Sequence, residues 1–161
     1  MWWRLKRSEF NQNKGAGNKQ AFQGIVEAGD VPGLLAYAGD QPIGWCALAP
    51  RDAYPALERS RILKRVDDQT VWSITCFFVA KPYRRRGLTV MLLQAALEYA
   101  RSQGAAILEG YPEDPGEGNQ PPPFVFTGLA SAFRKVGFTE VARRSAKRPI
   151  MRFQLGENSD D

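Results

Sequence analysis

The sequence has 161 residues, 43% of them hydrophobic and 24% charged, which suits one soluble globular domain with its own core. No apolar run approaches the ~20 residues of a membrane helix. The opening MWWRLKRSEF also lacks the apolar stretch of a secretory signal, so a cytoplasmic location and no membrane partner are expected. There are 0 histidines, which excludes a Ser-His-Asp triad, a Cys-His pair and His-containing zinc sites within this sequence. No metal is expected, and any proton transfer must use a carboxylate, Tyr, Cys, Lys, a chain terminus or water. The net charge of +5 favours an anionic partner.

In chain order, Asn18 to Asp30 places Ala21, Phe22, Ile25, Val26 and Ala28 at helical spacing. Gly33 to Ala38 and Ile43 to Ala49 predict a hairpin turning at Gly39-Asp40, and Pro50 ends its second strand. RDAYPALERSRIL predicts a short helical or irregular connection. Thr70 to Ala80 is rich in β-branched and aromatic residues and nearly apolar on both faces, as in a central strand covered on two sides. Leu88 to Arg101 predicts a helix with an apolar stripe of Leu88, Met91, Leu92, Ala95, Ala96 and Tyr99, stopped by Gly104. Ala105 to Tyr111 is a second buried-type strand, completing a βαβ unit.

Pro112 to Pro123 is too rich in proline and glycine for regular structure; such a loop is either a functional lid or disordered. GLASAFRKVGF predicts a helix ending near Gly137, and TEVARR and IMRFQL a final strand pair whose basic residues form a solvated face. Residues 1–155 are expected to form a single domain and 156–161 a disordered acidic tail. Cys46 and Cys76 both lie in apolar stretches, which suits free thiols in a reducing compartment better than a disulfide. Trp45 and Trp72 suit either the rim of a substrate site or the core, the core being the better fit.

The segment KPYRRRGLTVMLLQAALEYA, Lys81 to Ala100, lies between a buried strand and a helix start. Free backbone N–H groups and the positive helix end converge there, so it suits an anion. Gly87 can adopt φ > 0 and approach an oxygen closely. Neither the Walker A pattern nor the dinucleotide fingerprint occurs. The basic residues start a helix rather than line one, and Tyr83 is the single aromatic beside them, so no nucleic-acid partner is expected.

Cys76 to Thr89, CFFVAKPYRRRGLT, resembles the signature of the GNAT superfamily of acyl-CoA-dependent N-acyltransferases: a strand, a Pro-Tyr-Arg turn, then Arg/Gln-x-x-Gly-x-Gly/Ala opening a helix. Arg84, Gly87 and Thr89 occupy its three defined positions, Thr89 where Gly or Ala is usual. The hairpin and the AFRKVGFTEV segment extend the resemblance over roughly Gly15 to Leu155. It implies an α/β (α+β) fold in the order β-α-β-β-β-α-β-α-β. The central sheet is mixed and mostly antiparallel, with a splayed strand pair and flanking helices.

It also implies acetyl-CoA (coenzyme A) as cosubstrate and N-acetyl transfer to an unidentified amine, in a monomer or homodimer. The pantetheine arm would lie along Phe77, Phe78 and Val79, in the gap between the strands Trp72 to Val79 and Ala105 to Tyr111. Amides of Arg85, Arg86, Gly87, Leu88 and Thr89, with Arg84, would hold the pyrophosphate. A backbone N–H near Val79 would stabilise the developing oxyanion.

The superfamily's frequent acid, a Tyr four residues before the Gly-Phe glycine, is Phe133 here, which cannot donate a proton. Catalytic candidates are therefore Glu109 and Tyr111, on one face of their strand by period two. Tyr111 could equally be a core aromatic, and Glu109 half of a structural ion pair. Glu58 is a weaker candidate on the substrate side. Phe133 keeps a second possibility open: a degenerate fold that binds acyl-CoA as a sensor without transfer.

Overall fold

A computed structural model describes residues 1–118 and 125–156; the proline run at 121–123 and the acidic tail from 157 onward lie outside the described residues. The chain opens with two helices, α1 (Arg7–Gln12) and α2 (Ala16–Glu27). The opening strand implied by the resemblance does not form among the described residues. No Val, Ile or Thr occurs among the first 24 residues, so little favours a pleated strand. A Glu9 carboxylate also accepts the Lys6 backbone N–H at 3.0 Å and caps α1.

The hairpin follows as β1 (Gly33–Ala38) and β2 (Gln41–Pro50), then the short α3 (Pro55–Arg59) and β3 (Trp72–Val79). Next come α4 (Leu88–Ser102), β4 (Ile107–Gly110), α5 (Ala130–Val136), β5 (Thr139–Arg143) and β6 (Pro149–Gln154). The strands form one six-stranded sheet in the order β1-β2-β3-β4-β6-β5, with β3 and β4 parallel and every other pair antiparallel. The mixed sheet expected from the sequence is present.

The sheet divides the core in two. On one face α4 and α5 bury Leu88, Leu92, Leu93, Ala96, Leu97 and Ala100 against Ile74, Phe77, Val79, Phe133 and Phe138. Each large aliphatic side chain buried there stabilises the fold by about 1.5–3 kcal/mol. The buried stripe of α4 differs from the predicted one: Met91 is 61% exposed and Ala95 faces solvent, while Leu93 and Leu97 point inward. The first turns of α4 are apolar all round, so spacing alone did not fix the phase. On the other face Tyr54, Leu57, Leu63, Tyr111 and Ile150 form a smaller cluster, with Trp3 packed against it.

Two irregularities in β3 position the site. Residues Ala47 and Leu48 of β2 pair with Cys76 and Ile74, so Thr75 is an extra residue, a β-bulge. Pairing of β3 with β4 covers three rungs, Trp72 with Leu108, Ser73 with Glu109 and Ile74 with Gly110. Beyond Ile74, β3 runs on to Val79 while β4 ends at Gly110, so the two parallel strands part. This is the splay expected from the resemblance.

Candidate active site

At the far end of β3, Lys81 to Tyr83 make one tight turn and the backbone enters α4. Gly87 is the N-cap residue with φ 78°, in the left-handed region that favours glycine, and no side chain caps the helix. Arg85 also holds a positive φ of 61°, unusual for a residue with a Cβ. The first-turn N–H groups of α4 have no intrahelical acceptor and face the same end. Arg85, Arg86 and Gly87 are exposed, whereas the Leu88 side chain is buried in the core, so only its backbone can serve a ligand. The donors, the helix end and the exposed arginines suit a diphosphate.

Two backbone groups assigned to the pantetheine arm already have partners. The Phe77 N–H donates to the Phe126 carbonyl at 2.5 Å, across the gap where β4 has ended. The Val79 carbonyl accepts from Arg84 Nε at 3.0 Å, so that guanidinium braces the end of β3. The Phe77 side chain is buried against α4, while Phe78 is half-exposed beside Trp45.

Glu109 and Tyr111 are brought together at the vertex of the splay. The Tyr111 hydroxyl donates to Glu109 Oε1 at 2.6 Å. It also lies 2.8 Å from Ser73 Oγ and accepts from Arg51 Nη1 at 2.7 Å. Glu109 is buried, with Arg51 Nη1 at 3.1 Å from Oε1 and Arg152 Nε at 2.7 Å from Oε2. Burial first, then the neighbouring carboxylate, push the Tyr111 phenol well above its ordinary value, so it stays protonated. Arg51 also reaches Glu58 at 3.2 Å, and Arg152 reaches Asp67 at 2.6 Å. Both carboxylate oxygens of Glu109 thus have partners within hydrogen-bonding distance, as an ion pair requires.

Phe133 is fully buried and packs edge-on to Phe77 and Phe138, with ring centroids 6.1 and 5.0 Å away. Neither thiol is activated: burial pushes both Cys46 and Cys76 up, and both are free. β5 keeps the exposed face expected of it, while several arginines of the basic C-terminal half also bond within the protein. Arg134 and Arg143 both bond Asp114, Arg152 is buried beside Glu109, and Arg144 donates to the carbonyls of Ile62, Lys64 and Arg65. Among the described residues, no three His, Cys, Asp or Glu side chains gather that could hold a metal.

Two residues, Thr75 and Tyr54, went unnoticed in the sequence as part of the site. Thr75, Trp45 and Tyr54 line a cavity that also meets Phe126 at the splay. Thr75 is indistinguishable in sequence from any strand threonine, because the bulge depends on register with β2. Of the two roles open to Trp45, the structure shows it lining this cavity rather than filling the core.

A parallel β-strand pair parting over a glycine-headed helix is the arrangement that the sequence resemblance implies. The family model for the acetyltransferase (GNAT) family matches residues 1–116, and the chain belongs to that family. No curated protein matches it. Among solved structures, one from Salmonella typhimurium, described as an acetyltransferase and solved with its cofactor acetyl-CoA, superposes with a TM-score of 0.56. It is 17% identical over 88% of this chain and 75% of its own. The ribosomal-protein-alanine N-acetyltransferase of Brucella melitensis superposes with a TM-score of 0.53 at 18% identity, over 85% of this chain and 76% of its own. The NatC complex bound to Gag peptide and CoA gives 0.54 at 12%, over 85% and 79%. At these identities the likeness is one of fold.

Proposed function

We propose that this protein is an N-acetyltransferase that takes an acetyl group from acetyl-CoA and delivers it to a primary amine. The observation that carries the proposal is the left-handed Gly87 at the uncapped start of α4, directly beyond the splayed end of β3. When bound, acetyl-CoA supplies the activated acyl thioester. Backbone N–H groups from Arg85 to Thr89 hold its diphosphate, and Arg85 and Arg86 add attraction that salt would screen. Binding of the arm along β3 requires Phe126 to release the Phe77 N–H.

An amine with pKa near 10 is mostly protonated at neutral pH and must lose a proton before it can attack. Ser73, Tyr111 and Glu109 form a hydrogen-bonded chain from the vertex of the splay to a carboxylate, and we assign the proton's path to it. With Phe133 apolar, no side chain at that position protonates the departing thiol, which leaves as a thiolate or takes its proton from water.

A second reading, an acyl-CoA-binding sensor without transfer, is favoured by the buried Phe133 and by the two arginines around Glu109. Release of free CoA thiol with a panel of amines separates the two. Turnover on any amine supports the enzyme; tight acetyl-CoA binding without turnover on the whole panel supports the sensor.

A further inference from the structure

Beside the splay lies a cavity of about 130 Å³, walled by the rings of Trp3, Phe22, Trp45, Tyr54 and Phe126. A cavity of ~150 Å³ holds one benzene ring, so this one is ring-sized. Thr75, the bulge residue of β3, is part of its wall, which places the cavity beside the strand edge where the acyl group would be delivered.

The wall has two unusual properties. Trp3 Nε1, Tyr54 Oη and Thr75 Oγ1 are buried and complete no well-formed hydrogen bond within the protein, although the Tyr54 hydroxyl lies close to both Thr75 and the Arg4 guanidinium. Such groups are rare in folded proteins, and each one is destabilising if left unpaired. Burial pushes the Tyr54 phenol up to about 12, so it stays a neutral donor. The second property is the charge: among the described residues no Asp or Glu belongs to the wall, while Arg4 does, its guanidinium 4.9 Å from the centre of the Tyr54 ring. Aromatic walls attract cations, but here a cation is already stacked on one of the rings and no carboxylate balances a second. The wall therefore suits an uncharged ring next to a hydrogen-bond acceptor.

We infer that this cavity is the specificity pocket for the acyl acceptor, and that it selects amines carrying an aryl group and a nearby carbonyl, such as aromatic amino-acid amides, over polyamines and lysine side chains. This rests on the acetyltransferase reading. The amine itself points to β3, while the ring fills the cavity and the carbonyl takes a hydrogen bond from Thr75, Tyr54 or Trp3.

The test has a binding arm and a turnover arm. Saturation-transfer NMR of L-phenylalaninamide with the CoA-free protein should show ring contact. The signal should vanish in Ala47→Phe, which puts a ring into the cavity from β2, and binding should weaken about tenfold in the near-isosteric Thr75→Val. Acetyl-CoA affinity should be unchanged in Ala47→Phe. In steady-state assays, kcat/KM for phenylalaninamide should exceed that for spermidine at least tenfold. Equal binding to wild type and both variants overturns the pocket, as does a preference for spermidine. Contact from the ring of phenylacetyl-CoA with none from the amide also overturns it, by giving the cavity to the acyl group. Specific binding of phenylalaninamide without acetyl transfer to it upholds the pocket and sinks the enzyme reading instead.

Discussion

Arg152 Nε lies 2.7 Å from Glu109 Oε2 while Arg51 Nη1 lies 3.1 Å from Oε1, so one buried carboxylate stands between two guanidinium groups that are each 5% exposed. The three residues tie β4, β6 and the turn after β2 together at the vertex of the splay. Glu109→Gln removes the charge and leaves both arginines poorly compensated. Removing one member of such a buried set costs about 3–5 kcal/mol. Chemical denaturation should show a lower midpoint with an unchanged slope; a midpoint equal to wild type would show that the pair contributes nothing to the fold.

Tyr111→Phe leaves Glu109 with both arginines but cuts the chain to Ser73. If this chain carries the proton, kcat should fall roughly 10²-fold or more. The KM for acetyl-CoA should stay within about twofold, and the acid limb of the kcat profile should change shape. A purely structural hydroxyl would lower the unfolding midpoint and leave the pH profile alone.

Much of the fold was legible because each element combined period with punctuation. Gly33 to Ala38 was bounded correctly by its Gly39-Asp40 turn, and β3 announced itself through its β-branched and aromatic residues. The turn carrying Gly87 was legible because a glycine between strand and helix has a local cause. Thr75 was not, because its bulge is set by pairing with a strand some 30 residues away, a long-range relation that a single sequence does not display. For the same reason Arg51 and Arg152 gave no sign of converging on Glu109, being 58 and 43 residues from it.

Asp114 accepts from Arg134 at 2.7 Å and from Arg143 at 2.8 Å, clamping the segment after β4 to α5 and β5. The Arg143 hydrogen bond, then that of Arg134, hold its carboxyl at about 2 against an ordinary 3.8. A depressed value means that the stabilisation is fully present well above pH 4 and fades as pH falls through 4 toward 2. Asp114→Asn should lower stability at pH 7 by about 1 kcal/mol. The gap from wild type should close as thermal melts are repeated toward pH 2.

Gly110 is the last β4 residue paired with β3, and a Cβ there would collide with the Phe133 ring. Gly110→Ala should cost about 1–3 kcal/mol by overpacking. Gly110→Ala combined with Phe133→Leu should recover part of that loss in the same denaturation experiment, since the smaller side chain yields the space.

Gly87 decides the cofactor. A Cβ there would meet nothing within 4 Å, so the reason for glycine is its φ of 78° and its exposed amide rather than crowding. Gly87→Asp would strain the turn by about 1–2 kcal/mol and set a negative charge at the proposed diphosphate. Calorimetric titration of acetyl-CoA into wild type and Gly87→Asp therefore tests the central claim most directly. Clear binding to wild type that weakens with added salt and falls at least tenfold in Gly87→Asp is the predicted result; equal affinity for both proteins would contradict it.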